Sequence, residues 1–179
     1  KYVYDAGVTD FADLATHADK FGRQMYGIEP GSNDIMLGIV EVDAFGLSGW
    51  KVVESSEQGM LAQVKRNARG EEWIVFLGWA PHPMNTSFDI EYLTGGDNHY
   101  GPNFGGATVH TQVRKGYLEE CPNVGKLLIQ MTFDVPMESV GMAYILDDGN
   151  DPKEAGARLL REQPQYLEAW LDGVEAKDG

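Results

Sequence analysis

Cysteine and basic residues are both scarce in this sequence. Cys121 is the only cysteine in 179 residues, which excludes an internal disulfide and a zinc site built from several cysteines. Lys and Arg number 14 against 28 Asp and Glu, a formal net charge of −14. Nucleic acids and anionic membrane surfaces attract clustered basic residues, so this balance argues against both as partners. We interpret the acidic side chains as a solvated surface that favours solubility.

Long hydrophobic runs are absent as well. The longest run, residues 73–77, is far shorter than the roughly 20 residues that a membrane-spanning helix needs. No signal peptide is visible and the first residue is Lys1 rather than Met, so we expect a processed or truncated product. The length fits one domain or two small lobes.

Nucleotide-binding and hydrolase motifs are missing too. The sequence has no Gly-x-Gly-x-x-Gly, no Gly-x-x-x-x-Gly-Lys and no Gly-x-Ser-x-Gly. His82, His99 and His110 lack the spacing of zinc ligands, so we predict neither a metal nor a cofactor. A nucleophilic pair of Cys121 and His110 is possible on paper, but nothing indicates an activated thiol. The residues alone therefore specify no enzyme.

The first half of the chain alternates strand-like and helix-like segments. After a short helix capped by Thr9, apolar β-branched runs alternate with helical patterns between residues 23 and 79. This order predicts a parallel sheet covered by helices. The predicted elements are strand 25–28, helix 34–43, strand 51–54, a helix from a Ser55/Gln58 capping box to Ala68, and strand 73–79.

The second half is mostly helical. Its predicted elements are strands 87–93 and 108–113, helices 123–131 and 137–146, and a helix from an Asp151 cap to Glu162. Two strands are too few for a complete sheet. We therefore expect residues 80–179 to form part of a sheet domain.

Two features at predicted strand ends are candidates for a binding site. Trp79 ends the third strand of the first half, where a large ring fits either a core position or the wall of a cleft. The cleft interpretation is favoured by position, because ligands of α/β folds bind beyond the carboxyl ends of strands. The core interpretation stays open, because large aromatic residues are common in cores. The turn after the first strand leads into a helix capped by Ser32 or Asn33, whose first N–H groups form a polar pocket.

Five segments together resemble the glycine betaine/choline-type substrate-binding proteins of ABC importers, most of all the choline-binding members. They occur in the family's order and are spread along the chain. The segments are YGIEPG (26–31), VESSEQGMLAQV (53–64), VFLGWAPHPM (75–84), GGATVHT (105–111) and ECPNVGKLL (120–128).

The resemblance implies an α/β, periplasmic-binding-protein-like (type II) fold with two lobes, parallel-rich sheets covered by helices, and one lobe incomplete in this chain. Residues 1–78 match the second lobe with its crossover entry. Residues 79–179 match the return crossover and the C-terminal half of the first lobe. The family's N-terminal part lies outside the match. In choline-binding relatives the cysteine that matches Cys121 pairs with one in that missing part.

The resemblance also implies a function without catalysis. Such proteins capture a small quaternary ammonium or methylated-amine osmolyte (choline, glycine betaine, trimethylamine N-oxide) in an aromatic cage and deliver it to ABC permease subunits from the periplasm. Trp79 matches the cage tryptophan. Ser32 and Asn33 compete for the contact with the ligand's polar end, because this loop is shorter than the family's. Alternatives are a ligand-sensing domain that regulates a partner, and an enzyme using His82, His110 and Cys121.

The strength of binding follows from the contacts available in this chain. A methylated cation has no N–H to donate, so ring faces recognise it, at about 0.5–2 kcal/mol for each ring. Micromolar affinity needs about 8 kcal/mol. One tryptophan and one polar turn fall short of that, so we predict that this chain alone binds weakly.

Overall fold

The computed structural model describes residues 1–175. The chain divides into two compact units: unit 1 comprises Lys1–Trp79 and Met84–Ala107, and unit 2 comprises Ala80–Pro83 and the described residues from Thr108 onwards. The strands are β1 Gln24–Tyr26 and β2 Lys51–Val53. The helices are α1 Tyr2–Asp5, α2 Phe11–Thr16, α3 Asp34–Glu41, α4 Glu57–Gly70, α5 Met84–Ser87, α6 Asp97–Tyr100, α7 Pro102–Gly105, α8 Tyr117–Glu120, α9 Pro122–Gln130, α10 Val135–Leu146, α11 Pro152–Glu162 and α12 Pro164–Leu171.

Unit 1 is built around a small parallel sheet. Strands β1 and β2 pair in parallel, with Tyr26 opposite Val53. On its other edge, β1 forms an isolated parallel bridge between Tyr26 and Phe76. The spatial order is therefore β2, β1 and then the segment around Phe76. Helix α3 connects the neighbours β1 and β2, whereas α4 connects β2 to the segment on the other side of β1.

The core of unit 1 lies around this sheet. Its buried residues come from the α2 region, β1, α3 and the loop before β2, and they are Val8, Leu14, Phe21, Met25, Met36, Ile39, Leu47 and Trp50. Helix α2 begins with a capping box: the side chain of Asp10 accepts from the helix and that of Asp13 accepts from the backbone of Asp10. The cap thus fixes the turn that carries Leu14 into the core.

Unit 2 has a separate helical core. Met137 of α10, Leu159 of α11 and Trp170 of α12 form its buried cluster. The indole N–H of Trp170 donates to the backbone carbonyl of Thr132 at 3.2 Å. Helix α11 begins as predicted, because the carboxylate of Asp151 accepts from the first backbone N–H groups of the helix.

Several predicted boundaries need correction. The N-cap of α2 is Asp10 rather than Thr9, and the N-cap of α4 is Ser56, whose hydroxyl accepts from the backbone of Gly59. Residues 88–93 and 108–113 form no strand. A strand needs a run of backbone hydrogen bonds with a neighbouring strand, and neither segment forms such a run among the described residues. Within residues 1–175, no helix combines the length and apolar character that crossing a bilayer requires.

Candidate ligand-binding site

Three chain segments end at the same edge of the unit 1 sheet. Tyr26 pairs with Val53 on one side and with Phe76 on the other, and all three run in parallel. The residues three positions further along are Glu29, Ser56 and Trp79. The carboxyl ends of neighbouring parallel segments lie side by side, so the turn after β1 is flanked by the start of α4 and by Trp79. The two sequence-predicted features therefore lie at one edge.

Asn33 anchors the turn after β1. It is 1% exposed, its amide oxygen accepts from the backbone N–H of Ile28 at 2.9 Å, and its amide nitrogen donates to the carbonyl oxygens of Ile28 and Glu29 at 2.9 and 3.1 Å. The same nitrogen lies 3.1 Å from a carboxylate oxygen of Glu54. A Cβ on Gly27 would lie 2.2 Å from the Asn33 oxygen, so only glycine permits this approach. Asn33 holds the turn by bonds within the protein.

Ser32 lies on the outside of the same turn. Its backbone N–H donates to the carbonyl of Glu29 at 3.0 Å, which closes the turn. Its side chain is exposed, and the hydroxyl has no hydrogen-bond partner among residues 1–175. Of the two residues predicted to compete for a polar ligand group, Ser32 therefore has the free donor and acceptor.

The start of α4 is tied to the same turn. A carboxylate oxygen of Glu29 accepts from the backbone N–H of Glu57 at 3.2 Å, the first residue of α4. A carboxylate is favourable there because the N-terminus of a helix carries partial positive charge. Sequence reasoning missed the contributions of Glu29 and Glu54. The one available signal was their position at the carboxyl ends of predicted strands: Glu54 is the last residue of strand 51–54, and Glu29 follows strand 25–28.

Trp79 is half-buried where the segment around Phe76 ends. Its backbone carbonyl accepts from the side-chain nitrogen of Asn85 at 2.9 Å, and the oxygen of that amide accepts from the hydroxyl of Tyr92 at 2.9 Å. These bonds hold the backbone of Trp79 in place. The contact of Trp79 with a ligand stays a prediction.

The histidines and the cysteine are divided between the two units. His99 belongs to unit 1, whereas His82, His110 and Cys121 belong to unit 2. His82 is 3% exposed, His110 is exposed beside the hydroxyl of Thr108, and Cys121 is a half-buried free thiol. Among residues 1–175, no three His, Cys, Asp or Glu side chains are placed to hold a metal ion.

A cavity of about 300 Å³ lies elsewhere in unit 1 and does not include Trp79 in its wall. Tyr2, Tyr92 and Tyr100 line it. Burial raises the pKa of all three phenols, that of Tyr100 to about 12, so they are neutral at physiological pH. The cavity is lined mainly by aliphatic and aromatic side chains.

Comparisons with known proteins agree with this architecture. The family model for the substrate binding domain of the ABC-type glycine betaine transport system matches residues 1–162. A glycine betaine/carnitine transport binding protein of Listeria monocytogenes is 33% identical over 155 residues, which is 86% of this chain and 50% of the relative. The chain therefore spans about half the length of that relative.

Solved structures extend the likeness to the fold. An ABC-transporter choline binding protein in complex with choline is 53% identical with a TM-score of 0.75, over 98% of this chain and 62% of that one. Lactococcal OpuAC in its closed form with glycine betaine is 26% identical with a TM-score of 0.64, over 92% of this chain and 62% of that one. The α/β fold class predicted from the sequence is confirmed.

The resemblance that five segments indicated is confirmed as well, because the family match covers 162 of the 179 residues. The chain belongs to the substrate-binding domains of ABC-type glycine betaine transport systems.

Proposed function

We propose that this chain is the ligand-binding part of an ABC importer for a small quaternary ammonium or methylated-amine osmolyte, such as choline, glycine betaine or trimethylamine N-oxide. Trp79 supplies a ring face to the methylated end, and the turn that carries Ser32 binds the polar end. The observation that carries the proposal is that this turn and Trp79 lie at the carboxyl edge of one parallel sheet.

The turn supports this assignment because its own hydrogen bonds fix its backbone. Asn33 uses its amide inside the fold, which keeps the backbone of the turn in one conformation. The hydroxyl of Ser32 stays available for a ligand hydroxyl or carboxylate. In this proposal Asn33 acts mainly by positioning the turn, and Ser32 makes the direct contact.

The ligand class is supported by chemistry and by the relatives. A trimethylammonium group cannot donate hydrogen bonds, and an indole face attracts it electrostatically. One relative named above is described as a choline binding protein, and a second as a glycine betaine/carnitine transport binding protein. The third was solved in complex with glycine betaine. All of these compounds are methylated ammonium ions with a polar end, which fits one aromatic face beside one polar turn.

The wider role follows from the family. We propose that the protein performs no chemical step, that it acts in the periplasm or another extracytoplasmic space, and that it delivers its ligand to membrane permease subunits. We also propose that Cys121 pairs with a cysteine in a part of the family's chain outside these residues. The half-buried free thiol of Cys121 is consistent with such a bond.

Replacing the indole tests the ring-face contact. Trp79→Ala should weaken choline binding by about 1–2 kcal/mol, which is roughly 5- to 30-fold, because one cation–π contact is lost. Trp79→Phe should keep part of the affinity, because a smaller ring face remains. Ligand-observed NMR titration with choline up to roughly 0.5 M measures the affinity of the parent chain and of both variants.

A neutral analogue provides the control for charge. In 3,3-dimethylbutan-1-ol a carbon atom replaces the charged nitrogen of choline, so only apolar contact with the ring remains. Its affinity should change less on Trp79→Ala than that of choline. Equal losses for both compounds, or no loss for choline, would refute the ring-face role of Trp79.

A further inference from the structure

The connection between α10 and α11 in unit 2 contains an aspartate followed directly by a glycine, Asp148 and Gly149. Both residues are exposed and lie outside the two helices. The main chain is fixed on either side of the pair. The N–H of Asp148 donates to the carbonyl of Ala143 at 3.1 Å, and the N–H of Asn150 donates to that of Tyr144 at 2.9 Å. The pair therefore lies in a turn with a defined backbone.

The backbone nitrogen of Gly149 is accessible within this turn. Its N–H makes no hydrogen bond to any of residues 1–175. The φ of Gly149 is +71°, a conformation that favours glycine. A Cβ added at this position would meet no atom of the described residues within 4 Å. A reaction at this nitrogen is therefore hindered neither by a hydrogen bond nor by a side chain of the residue itself.

An aspartate that precedes a glycine can react with its own main chain. The backbone nitrogen of Gly149 loses its proton and bonds to Cγ of Asp148, while the bond from Cγ to one carboxyl oxygen breaks and that oxygen leaves as water. The product is a five-membered succinimide ring. Water then opens the ring, and opening at the former main-chain carbonyl gives isoaspartate, in which the main chain runs through the side-chain carbon. One water is lost and one is gained, so the reaction needs no oxidant, reductant or co-reactant.

An ion pair opposes this ring closure. Nη1 of Arg158 on α11 lies 2.8 Å from Oδ2 of Asp148. The guanidinium is itself held in place, because its central carbon lies 3.8 Å from the ring centroid of Tyr144 and its Nε lies 2.9 Å from a carboxylate oxygen of Glu162. Ring closure expels one carboxyl oxygen and turns the carboxyl group towards its own main chain, which the pair restrains. Exposed ion pairs are weak, so we expect the reaction to be slowed only about two- to fivefold.

We infer that Asp148 is a site of spontaneous isoaspartate formation and that Arg158 restrains the reaction. The new linkage adds one methylene to the main chain between α10 and α11. The contacts that follow depend on the length of this connection. Asn150 donates to the carbonyl of Tyr144 through both its backbone and its side chain, and Asp151 caps α11. Isoaspartate at this position should therefore weaken the packing of α11 on α10 and lower the melting temperature of the chain.

Incubation of the 179-residue chain at mildly acidic pH and physiological temperature tests the inference. Peptide mapping with electron-transfer dissociation locates isoaspartate, because its fragment ions differ from those of aspartate. A second such pair, Asp172 and Gly173, is the internal comparison. There the carbonyl of Gly173 accepts from Nζ of Lys126 at 3.1 Å, and a Cβ on the glycine would lie 2.2 Å from that nitrogen. We expect isoaspartate to accumulate about fivefold faster at Asp148, since no such bond has to be broken there.

Three variants separate the parts of the inference. Arg158→Ala should raise the rate at Asp148 about two- to fivefold and leave the rate at Asp172 unchanged. Arg161→Ala removes an equal charge from the same helix but leaves the ion pair in place, so it should change neither rate. Asp148→Asn forms the same ring by expelling ammonia, which leaves more readily than water, so this variant should react faster than the parent chain.

The outcomes that contradict the inference are distinct. It is overturned if isoaspartate does not appear at Asp148, or if Asp148→Asn keeps its asparagine, because the backbone would then forbid the ring. Equal rates in Arg158→Ala and Arg161→Ala would remove the restraining role of Arg158. Thermal unfolding of fresh and incubated protein tests the consequence: the melting temperature should fall as the isoaspartate content rises, and an unchanged value would contradict the effect on packing.

Discussion

At the scale of single residues, Asn33 and Ser32 are neighbours with opposite surroundings. Every polar atom of the Asn33 side chain is bonded inside the fold, whereas the Ser32 side chain is exposed. The sequence could place both residues in a turn at the start of α3. It could not decide between them, because burial depends on the close approach to Gly27 and Glu54, which belong to other parts of the sheet edge.

This difference predicts a separation of stability from binding. Asn33→Ala should lower the free energy of unfolding by about 1–3 kcal/mol, because it leaves the backbone N–H of half-buried Ile28 unpaired. Ser32→Ala should change that free energy by less than about 0.5 kcal/mol. It should nevertheless weaken choline binding about three- to tenfold, through the loss of one hydrogen bond. Urea unfolding and NMR titration of both variants measure the two quantities. A stable Asn33→Ala variant with normal binding would contradict the positioning role.

At the scale of elements, the helix starts show what a local pattern determines. Polar residues that can cap a helix occur at Thr9 and Asp10, and again at Ser55 and Ser56. In each pair the structure uses the second residue as the N-cap. The first of each pair is engaged in the tertiary structure: the carbonyl of Thr9 accepts from Thr94, and the N–H of Ser55 donates to Ile28. Sequence therefore predicted both helices and missed each start by one residue.

The capping box of α2 should make stability depend on pH. The carboxylate of Asp13 accepts from the backbone N–H groups of Thr9 and Asp10, which lowers its pKa below the ordinary 3.8. A lowered pKa in the folded state contributes stability above the unfolded pKa, and that contribution is lost as the pH falls through the folded value. Asp13→Ala should therefore lower the melting temperature most at neutral pH. The gap to the parent chain should narrow below about pH 4.

Asp13→Asn is the matched control for this effect. It keeps an oxygen that can accept from the backbone but removes the titrating group, so its melting temperature should lie between those of the parent and Asp13→Ala at pH 7. Thermal unfolding followed by circular dichroism from pH 3 to 7 gives the comparison. A gap between parent and Asp13→Ala that stays constant over this range would show that the charge of Asp13 does not contribute.

At the scale of the whole molecule, strands were harder to predict than helices. Helix α11 satisfies its own backbone, and its Asp151 cap was visible in the sequence. Segments 88–93 and 108–113 have strand-like periodicity but form no strand. The reason is physical: a strand exists only when a neighbouring strand pairs with its backbone N–H and C=O groups, and the segment's own sequence does not specify that neighbour.

The assignment of residues 1–78 and 79–179 to two lobes stays a prediction.

The two ligand contacts proposed for these residues predict the affinity of the 179-residue chain. Trp79 contributes about 2 kcal/mol at most and a hydrogen bond to Ser32 about 1 kcal/mol, which together correspond to a dissociation constant in the millimolar range or weaker. Additional aromatic rings would be needed for micromolar binding. Titration calorimetry and NMR with choline, glycine betaine and trimethylamine N-oxide measure this directly. A micromolar constant for the isolated chain would mean that its own residues complete the cage, and the candidate site would then have to include rings besides Trp79.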